Sequence, residues 1–167
     1  MHNELTQNDI RLMQEELDNR RIHLRPQLLE AVKEARSFGD LSENFEYKAA
    51  KQEKNRNESR IRFLENMIKT AVVIQDKTDE GTVGLYDKVT VYLEEDEETE
   101  VYQIVTTVRQ DVLNGLISKE SPMGRSLMGK RVGDRFYVEV NPKYGYYAVV
   151  KAIEKGEDDG SAPLNRY

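Results

Sequence analysis

The sequence feature that most limits the fold is a pair of long apolar series on either side of Gly39. The first series has an apolar residue every three or four positions, interrupted at Arg20: Ile10, Met13, Leu17, Leu24, Leu28, Ala31 and Ala35. The second keeps this spacing without interruption and includes two polar members: Tyr47, Ala50, Lys54, Asn57, Ile61, Leu64, Ile68 and Ala71. So narrow a stripe is typical of a coiled-coil seam. Because a short turn makes two such helices antiparallel neighbours, the sequence predicts a helical hairpin.

Local signals predict where the first helix begins and where it is disturbed. Thr6 and Asp9 form a capping-box pattern with Leu5 in the staple position, so the helix is predicted to begin there. Pro26 lacks a backbone donor and disfavours helical geometry at Arg25. A kink or a break is therefore predicted at this point of the first arm.

The turn between the two arms carries two acids. Gly39 is predicted to end the first helix in a left-handed conformation, and Asp40 or Ser42 to cap the second. Asp40 and Glu43 are three residues apart, so on a helix they share one face. They can form a capping box, or they can supply part of a Mg²⁺ shell together with other ligands. Two carboxylates alone would hold magnesium weakly, and both interpretations stay open from residue types alone.

Cations follow the tip on the second arm: Lys48, Lys51, Lys54, Arg56, Arg60 and Arg62. Such a stretch can contact a nucleic-acid backbone, with Lys48, Lys51 and Arg56 as candidate residues. Acids are interleaved with these cations: Glu46, Glu53, Glu58 and Glu65. An ordinary solvated coiled-coil face is therefore the alternative.

From residue 82 the apolar period changes from helical to alternating. Four strands are predicted, rich in β-branched and aromatic residues: Lys88–Leu93, Glu100–Thr107, Arg135–Val140 and Tyr146–Ile153. A short helix or turn is expected over Pro122–Gly129. The fold class is therefore α+β, with an N-terminal antiparallel coiled-coil hairpin and a C-terminal antiparallel sheet with one short helix.

This pattern divides the chain into four segments. Residues 1–75 form the hairpin, 76–81 a linker and 82–154 the sheet domain. Residues 155–167 are polar and contain glycine and proline, so they are predicted to be a disordered tail.

The composition excludes several classes of function. The chain has no cysteine, which rules out disulfides, thiol catalysis and thiolate zinc sites. Its two histidines are too few and too far apart to suggest a histidine metal site. No apolar run is long enough for a signal peptide or membrane span, so a cytoplasmic protein is expected. Residues 1–75 are neutral overall and the net charge of −6 comes from the rest of the chain, which favours a protein partner over free duplex nucleic acid.

The tip sequence resembles a known family. Arg36–Asn44, followed by Glu46–Lys51, is similar to the tip signature of the bacterial Gre transcript cleavage factors, the A form more than the B form. Ile117–Arg125 and Leu127–Lys130 match family positions as well. The resemblance covers residues 5–153.

The resemblance implies a coiled-coil hairpin and an FKBP-like C-terminal domain. Family members bind RNA polymerase at its secondary channel through the C-terminal domain and insert the hairpin toward the active centre. The factor is not itself an enzyme in this scheme. It stimulates the polymerase to hydrolyse backtracked RNA near the nascent 3′ end, with a second Mg²⁺ and a water held partly by the tip.

Roles for individual residues follow from the same resemblance. Asp40 and Glu43 take the metal role, while Ser42 and Asn44 support the tip. The resemblance assigns the polymerase contact to three consecutive residues: Glu120, Ser121 and Pro122.

Four segments depart from the family pattern. Asn8-Asp9 stands where family members usually have a glycine, and Val105–Asp111 replaces a Val-Gly segment that ends in Glu-Ala-Asp. Asn141–Tyr147 and the tail are also unusual. These departures leave the docking mode and the polymerase preference open.

Other functions remain to be distinguished. The nearest alternative is a paralogue that occupies the secondary channel of the polymerase and inhibits transcription without stimulating cleavage. A prolyl isomerase would need an aromatic-lined pocket in the C-terminal domain. A coiled-coil adaptor would dimerise through its seam, whereas a hairpin that buries its own seam is expected to be a monomer.

Overall fold

The computed structural model describes residues 3–39, 43–75 and 79–166. The chain forms two compact units. The first comprises Ile10–Val72, and the second comprises Glu4–Asp9 together with Val73–Arg166. In the described part of the chain, no helix is both long and apolar enough to cross a membrane.

The first unit is the predicted antiparallel hairpin. The helical segments of the hairpin are α1 (Gln7–Asn19), whose first three residues belong to the second unit, a π-helical turn (Arg20–Leu24), α2 (Arg25–Arg36) and α3 (Phe45–Thr70). The buried seam residues come from both arms: Met13, Leu17, Ala35, Ile61 and Leu64. The hairpin prediction is therefore confirmed, and the seam is covered within the chain itself.

The polar residues of the seam meet across the hairpin. The Arg20 Nη1 donates to Asn57 Oδ1 over 2.8 Å, and its Nε donates to Glu16 over 2.8 Å. Arg60 Nε donates to the same Glu16 carboxylate over 2.7 Å. Burial opposes the ionisation of Glu16, but the hydrogen bonds from Arg60 and Arg20 outweigh it and lower its pKa. The interruption at Arg20 and the polar position at Asn57 thus belong to one layer that favours a single helix register.

The disturbance predicted at Pro26 appears as a widened turn immediately before it. Arg25 N–H donates to the carbonyl of Arg20, five residues earlier, and both Leu24 and Arg25 keep helical φ and ψ. A π turn gives more room than an α turn, so the proline ring does not force a break.

The second unit contains a five-stranded sheet. Its strands are β3 (Lys88–Leu93), β4 (Glu98–Val105), β5 (Leu116–Ser118), β6 (Arg135–Asn141) and β7 (Tyr144–Glu154). They pair in the order β5-β4-β3-β7-β6. Two further strands of three residues each, β1 (Asn3–Leu5) and β2 (Ala71–Val73), precede this sheet in the chain.

The sheet is mixed, so the prediction of a wholly antiparallel sheet is wrong at one edge. Strand β5 pairs with β4 in parallel, Ile104 opposite Ile117. The chain returns to this edge through two 3₁₀ turns, Thr107–Arg109 and Val112–Asn114. Three residues are too few to show an alternating pattern, which is why the sequence did not reveal β5.

A short helix, α4 (Pro122–Leu127), contributes two side chains to the hydrophobic core of the second unit. Met123 and Leu127 join one hydrophobic cluster with alternate residues of the strands: Val89, Val91, Ile104, Phe136, Val138, Ala148 and Val150. This arrangement matches the predicted α+β domain.

The C-terminal segment differs from the expectation of a disordered tail. Gly156 N–H donates to Asp87 Oδ1 over 3.0 Å, and Asp158 is 9% exposed. Asn165 N–H donates to the carbonyl of Val108 over 2.8 Å. A polar composition indicates disorder only when no partner binds it, and here buried polar groups of the second unit supply partners.

Candidate functional site

The structure describes part of the predicted tip. Asp40 and Ser42 lie outside the described residues. Glu43 is exposed in a turn, and Asn44 follows it as the N-cap of α3, which begins at Phe45. The prediction that Asp40 or Ser42 caps this helix is therefore wrong. Glu43 lies before the first residue of α3. The expectation that Glu43 shares a helix face with Asp40 therefore does not apply to α3.

Asn44 links the two arms behind the tip. Its Oδ1 accepts the Tyr47 N–H over 3.0 Å, and its Nδ2 donates to the carbonyl of Ala35 over 2.7 Å. One side chain thus satisfies a free donor of α3 and a free acceptor at the end of α2. The tip support inferred for Asn44 from the resemblance stays a prediction. Its capping role could have been read from the sequence, since asparagine is a preferred N-cap residue.

Aromatic and cationic side chains surround this linkage. Phe38 and Phe45 are 62% and 79% exposed. Arg36 lies 5.4 Å from the centre of the Tyr47 ring, and the hydrogen bond that it donates is the main cause of the lowered pKa of Tyr47. Lys48 lies 5.6 Å from the Phe45 ring centre. Cations therefore lie close to the tip, each beside an aromatic ring.

The three candidate nucleic-acid contacts, Lys48, Lys51 and Arg56, are all exposed on α3. Lys51 Nζ also lies 6.0 Å from the Tyr47 ring centre, so it is close to the tip. Their contact with nucleic acid stays a prediction. Among the described residues, no three histidine, aspartate, glutamate or cysteine side chains group closely enough to hold a metal ion.

Replacing Asn44 by alanine is expected to lower the free energy of unfolding of the hairpin by about 1–2 kcal/mol, because the helix loses its cap and α2 loses a donor. Urea unfolding followed by far-UV circular dichroism measures this loss. Asn55→Ala is the matched control, since Asn55 is exposed in the middle of the same helix. A loss in Asn44→Ala no greater than in the control would contradict the bridging role.

The predicted polymerase contact forms a tight turn before α4. Ser121 caps this helix, its Oγ accepting the Gly124 N–H over 3.1 Å and donating to the carbonyl of Ser118 over 2.6 Å. Pro122 occupies the first helical turn, where its missing donor costs nothing. A Cβ on Gly124 would stand 2.0 Å from the Ser118 carbonyl oxygen, so the close approach requires glycine.

Glu120 is exposed in the same turn, and a ring of hydrogen bonds holds it. Thr107 Oγ1 donates to the Glu120 carboxylate over 3.2 Å and lies 2.8 Å from Ser118 Oγ. Ser118 Oγ in turn accepts the Glu120 N–H over 3.1 Å. Linked hydrogen bonds of this kind strengthen one another, so the position of Glu120 depends on that of Thr107.

An open pocket of ≈ 480 Å³ lies beside this turn, with Pro122, Arg125, Tyr137 and Glu139 among its lining residues. Its volume lies within the range of about 300–1,000 Å³ that is usual for ligand pockets. Within the described residues, Tyr137 is the single aromatic group of the lining. The aromatic lining that a prolyl isomerase would need is thus absent from this pocket.

Two family models together match almost the whole chain. The model described as "Transcription elongation factor, N-terminal" matches residues 3–73, and "Transcription elongation factor, GreA/GreB, C-term" matches residues 77–155. These two ranges correspond to the helical hairpin and to the sheet domain.

Curated relatives point to the same family. The chain is 43% identical to the transcription elongation factor GreA of Staphylococcus carnosus (strain TM300) over 134 residues, 80% of this chain and 84% of that one. It is 45% identical to GreA of Geobacillus kaustophilus (strain HTA426) over 128 residues, 76% and 81% of the two chains. A solved structure of GreA factor homolog 1 of Thermus thermophilus is 29% identical, over 93% of this chain and 100% of that one, with a TM-score of 0.44.

Proposed function

The chain belongs to the GreA/GreB family of transcription elongation factors, and we propose that it stimulates RNA polymerase to cleave backtracked nascent RNA. The observation that carries this proposal is the exposed carboxylate of Glu43 at the end of a hairpin whose two arms are joined by Asn44. The factor performs no hydrolysis alone in this scheme, because the reacting groups belong to the polymerase.

The hairpin has the length to reach a distant active centre. Helix α3 has 26 residues, which at about 1.5 Å per residue gives an arm of about 39 Å. The hairpin buries its own apolar seam, including Leu64 at 0% exposure, so the arm is stable without a second chain. We therefore expect a monomer that inserts the tip through the secondary channel of the polymerase.

Asp40 and Glu43 would act as oxygen ligands at the tip. Carboxylate oxygens are the ligands that Mg²⁺ prefers, and an exposed Glu43 is free of the packing that would prevent ligation. Asp40 and Glu43 would hold a second Mg²⁺ together with ligands from the polymerase, and the chemistry supplied by such an ion is polarisation of a phosphoryl oxygen and activation of a water. The chain's own task is to present two carboxylates at the end of the hairpin, with Ser42 and Asn44 supporting the tip.

The second unit provides the docking surface in this proposal. Glu120, Ser121 and Pro122 form a rigid turn beside a pocket large enough for a partner side chain. Lys48, Lys51 and Arg56 would contact the backbone of the nascent RNA near its 3′ end. Docking and chemistry thus depend on different parts of the chain and can be tested separately.

The test is cleavage of a defined backtracked complex of a bacterial RNA polymerase with RNA labelled at its 3′ end. Adding the protein is expected to release short labelled fragments and to let the complex resume elongation. Slower elongation without fragment release would overturn the proposal in favour of an inhibitory factor of the same family.

A further inference from the structure

A buried arginine connects the C-terminal segment to the rest of the second unit. Arg109 is 0% exposed, and its Nη1 and Nη2 donate to the two oxygens of Asp158 over 3.0 and 2.9 Å. Its Nη1 also donates to Asp9 over 3.0 Å, and its Nε donates to the carbonyl of Ala162 over 2.6 Å. Every nitrogen of the guanidinium therefore has a partner, and two of the partners lie in the segment Lys155–Arg166, which we call the strap.

The two buried carboxylates are also fully paired. Asp9 Oδ2 accepts the Thr6 N–H over 2.9 Å and the Thr106 hydroxyl over 2.8 Å. Asp158 Oδ1 accepts the Gly160 N–H over 2.9 Å. Burial opposes the ionisation of Asp158, but the hydrogen bonds from Arg109 and Gly160 outweigh it and lower its pKa. Asp158 is therefore charged at neutral pH, and the strap is held there by a complete ion-pair network.

The far end of the strap rests on the turn that contains Arg109. Asn165 N–H donates to the Val108 carbonyl over 2.8 Å, and Asn165 Nδ2 donates to the Thr107 carbonyl over 2.8 Å. The strap thus crosses the 3₁₀ turn Thr107–Arg109, contacting it through the Arg109 side chain and through two backbone carbonyls.

Thr107 passes this restraint to the docking turn. Its carbonyl accepts from the strap, while its hydroxyl donates to Glu120 and contacts Ser118. Thr107 therefore makes one hydrogen bond to the strap and another to Glu120.

We propose that the strap is a positioning element for polymerase docking, acting through Thr107 on Glu120. This inference rests on the proposed function, because it takes Glu120, Ser121 and Pro122 as the polymerase contact. The strap itself need not touch the polymerase. Its effect is to restrict Glu120 to one position before binding, which lowers the entropy lost on docking.

The experiment measures the affinity of the full-length protein for RNA polymerase, together with RNA cleavage at saturating protein. Asn165→Ala removes the strap's hydrogen bond to the Thr107 carbonyl and leaves the buried ion pairs intact. We expect its affinity to fall about fivefold, the equivalent of one hydrogen bond. Cleavage at saturation is expected to be unchanged, because the tip is not altered.

A second pair of variants tests the other end of the strap. Asp158→Asn removes one buried charge, whereas Glu157→Gln removes one charge from the exposed residue beside it. Affinity is expected to fall at least fivefold in Asp158→Asn and to stay unchanged in Glu157→Gln. An equal effect of the two variants would overturn the inference, because the loss would then come from charge alone.

A double-mutant cycle separates positioning from general loosening. Asn165→Ala combined with Glu120→Ala is expected to weaken binding less than the sum of the two separate effects, because the strap acts through Glu120. Additive effects would overturn the inference. If Glu120→Ala weakens binding and Asn165→Ala does not, the strap inference alone fails. If Glu120→Ala has no effect, the docking assignment fails and the inference with it.

Discussion

Alanine at both tip acids, Asp40→Ala with Glu43→Ala, is expected to slow RNA cleavage at saturating protein by about 100-fold or more. A metal ion stabilises the charge that develops on a phosphoryl oxygen by several kcal/mol, and about 2.7 kcal/mol corresponds to 100-fold in rate. Losing two ligands should remove most of that stabilisation. Polymerase affinity should change little, since docking is assigned to the second unit.

The measurement is the rate of 3′-fragment release from a backtracked complex, with polymerase affinity determined separately for each variant. Glu46→Ala is the matched control, because Glu46 is an exposed carboxylate in the first turn of α3, three residues after Glu43. Full cleavage by a double variant that still binds the polymerase would contradict the assignment of Asp40 and Glu43 as metal ligands.

Replacing Arg109 by methionine is expected to lower the free energy of unfolding of the second unit by about 3–5 kcal/mol. Methionine fills similar space, but the carboxylates of Asp9 and Asp158 are then left buried without a cation. Breaking a buried ion pair from one side costs about this much, because the remaining charge has lost its solvent and its partner. The strap should also detach, since its strongest contact is gone.

Arg135→Met provides the matched control for Arg109→Met. Arg135 makes the same kind of paired contact with the two oxygens of Glu94, over 2.7 and 3.0 Å, but its side chain is 55% exposed. An exposed ion pair contributes little to stability, because water and salt screen its charges. Urea unfolding followed by tyrosine fluorescence suits this comparison, because most of the chain's nine tyrosines lie in the second unit. Equal losses in the two variants would contradict a special role for burial.

A third variant identifies the cause of the loss. Adding Asp158→Asn to Arg109→Met removes one of the two uncompensated charges and is expected to recover part of the stability. Failure to recover any would indicate that packing of the arginine stem, and not charge, accounts for its contribution.

The hairpin could be predicted because its determinants are local. A spacing of three and four in Met13, Leu17, Ile61 and Leu64 defines a buried stripe on each arm regardless of what lies elsewhere in the chain. The start of α1 was likewise fixed by a pattern within four residues, and the hydrogen bonds between Thr6 and Asp9 confirm it. The start of α3 was misplaced because several residues in a row were suitable caps, and the contact of Asn44 with Ala35 on the other arm selects among them.

The tip shows which features can be predicted from the sequence and which depend on the tertiary structure. The two tip acids and the resemblance to a family could be recognised from the sequence. One of these acids, Asp40, lies outside the described residues. The linkage by Asn44 depends on the carbonyl of Ala35 and the backbone N–H of Tyr47, which come close to each other only when the two arms pair. The three-residue parallel strand β5 could not be predicted from the sequence either, because its partner strand β4 lies elsewhere in the chain and three residues are too few to show an alternating pattern.

Asp9 marks the boundary between what sequence and tertiary structure determine. By itself the sequence determined that Asp9 caps a helix, because the cap involves a donor only three residues away. Only the tertiary structure decided that the same carboxylate is fully buried against Arg109, 100 residues later, with Asp158 on the other side. The physical reason is that a charge can be buried only where an opposite charge and hydrogen-bond donors meet it, and which groups meet is a property of the folded chain. The same cause turns a tail whose composition indicates disorder into an ordered strap.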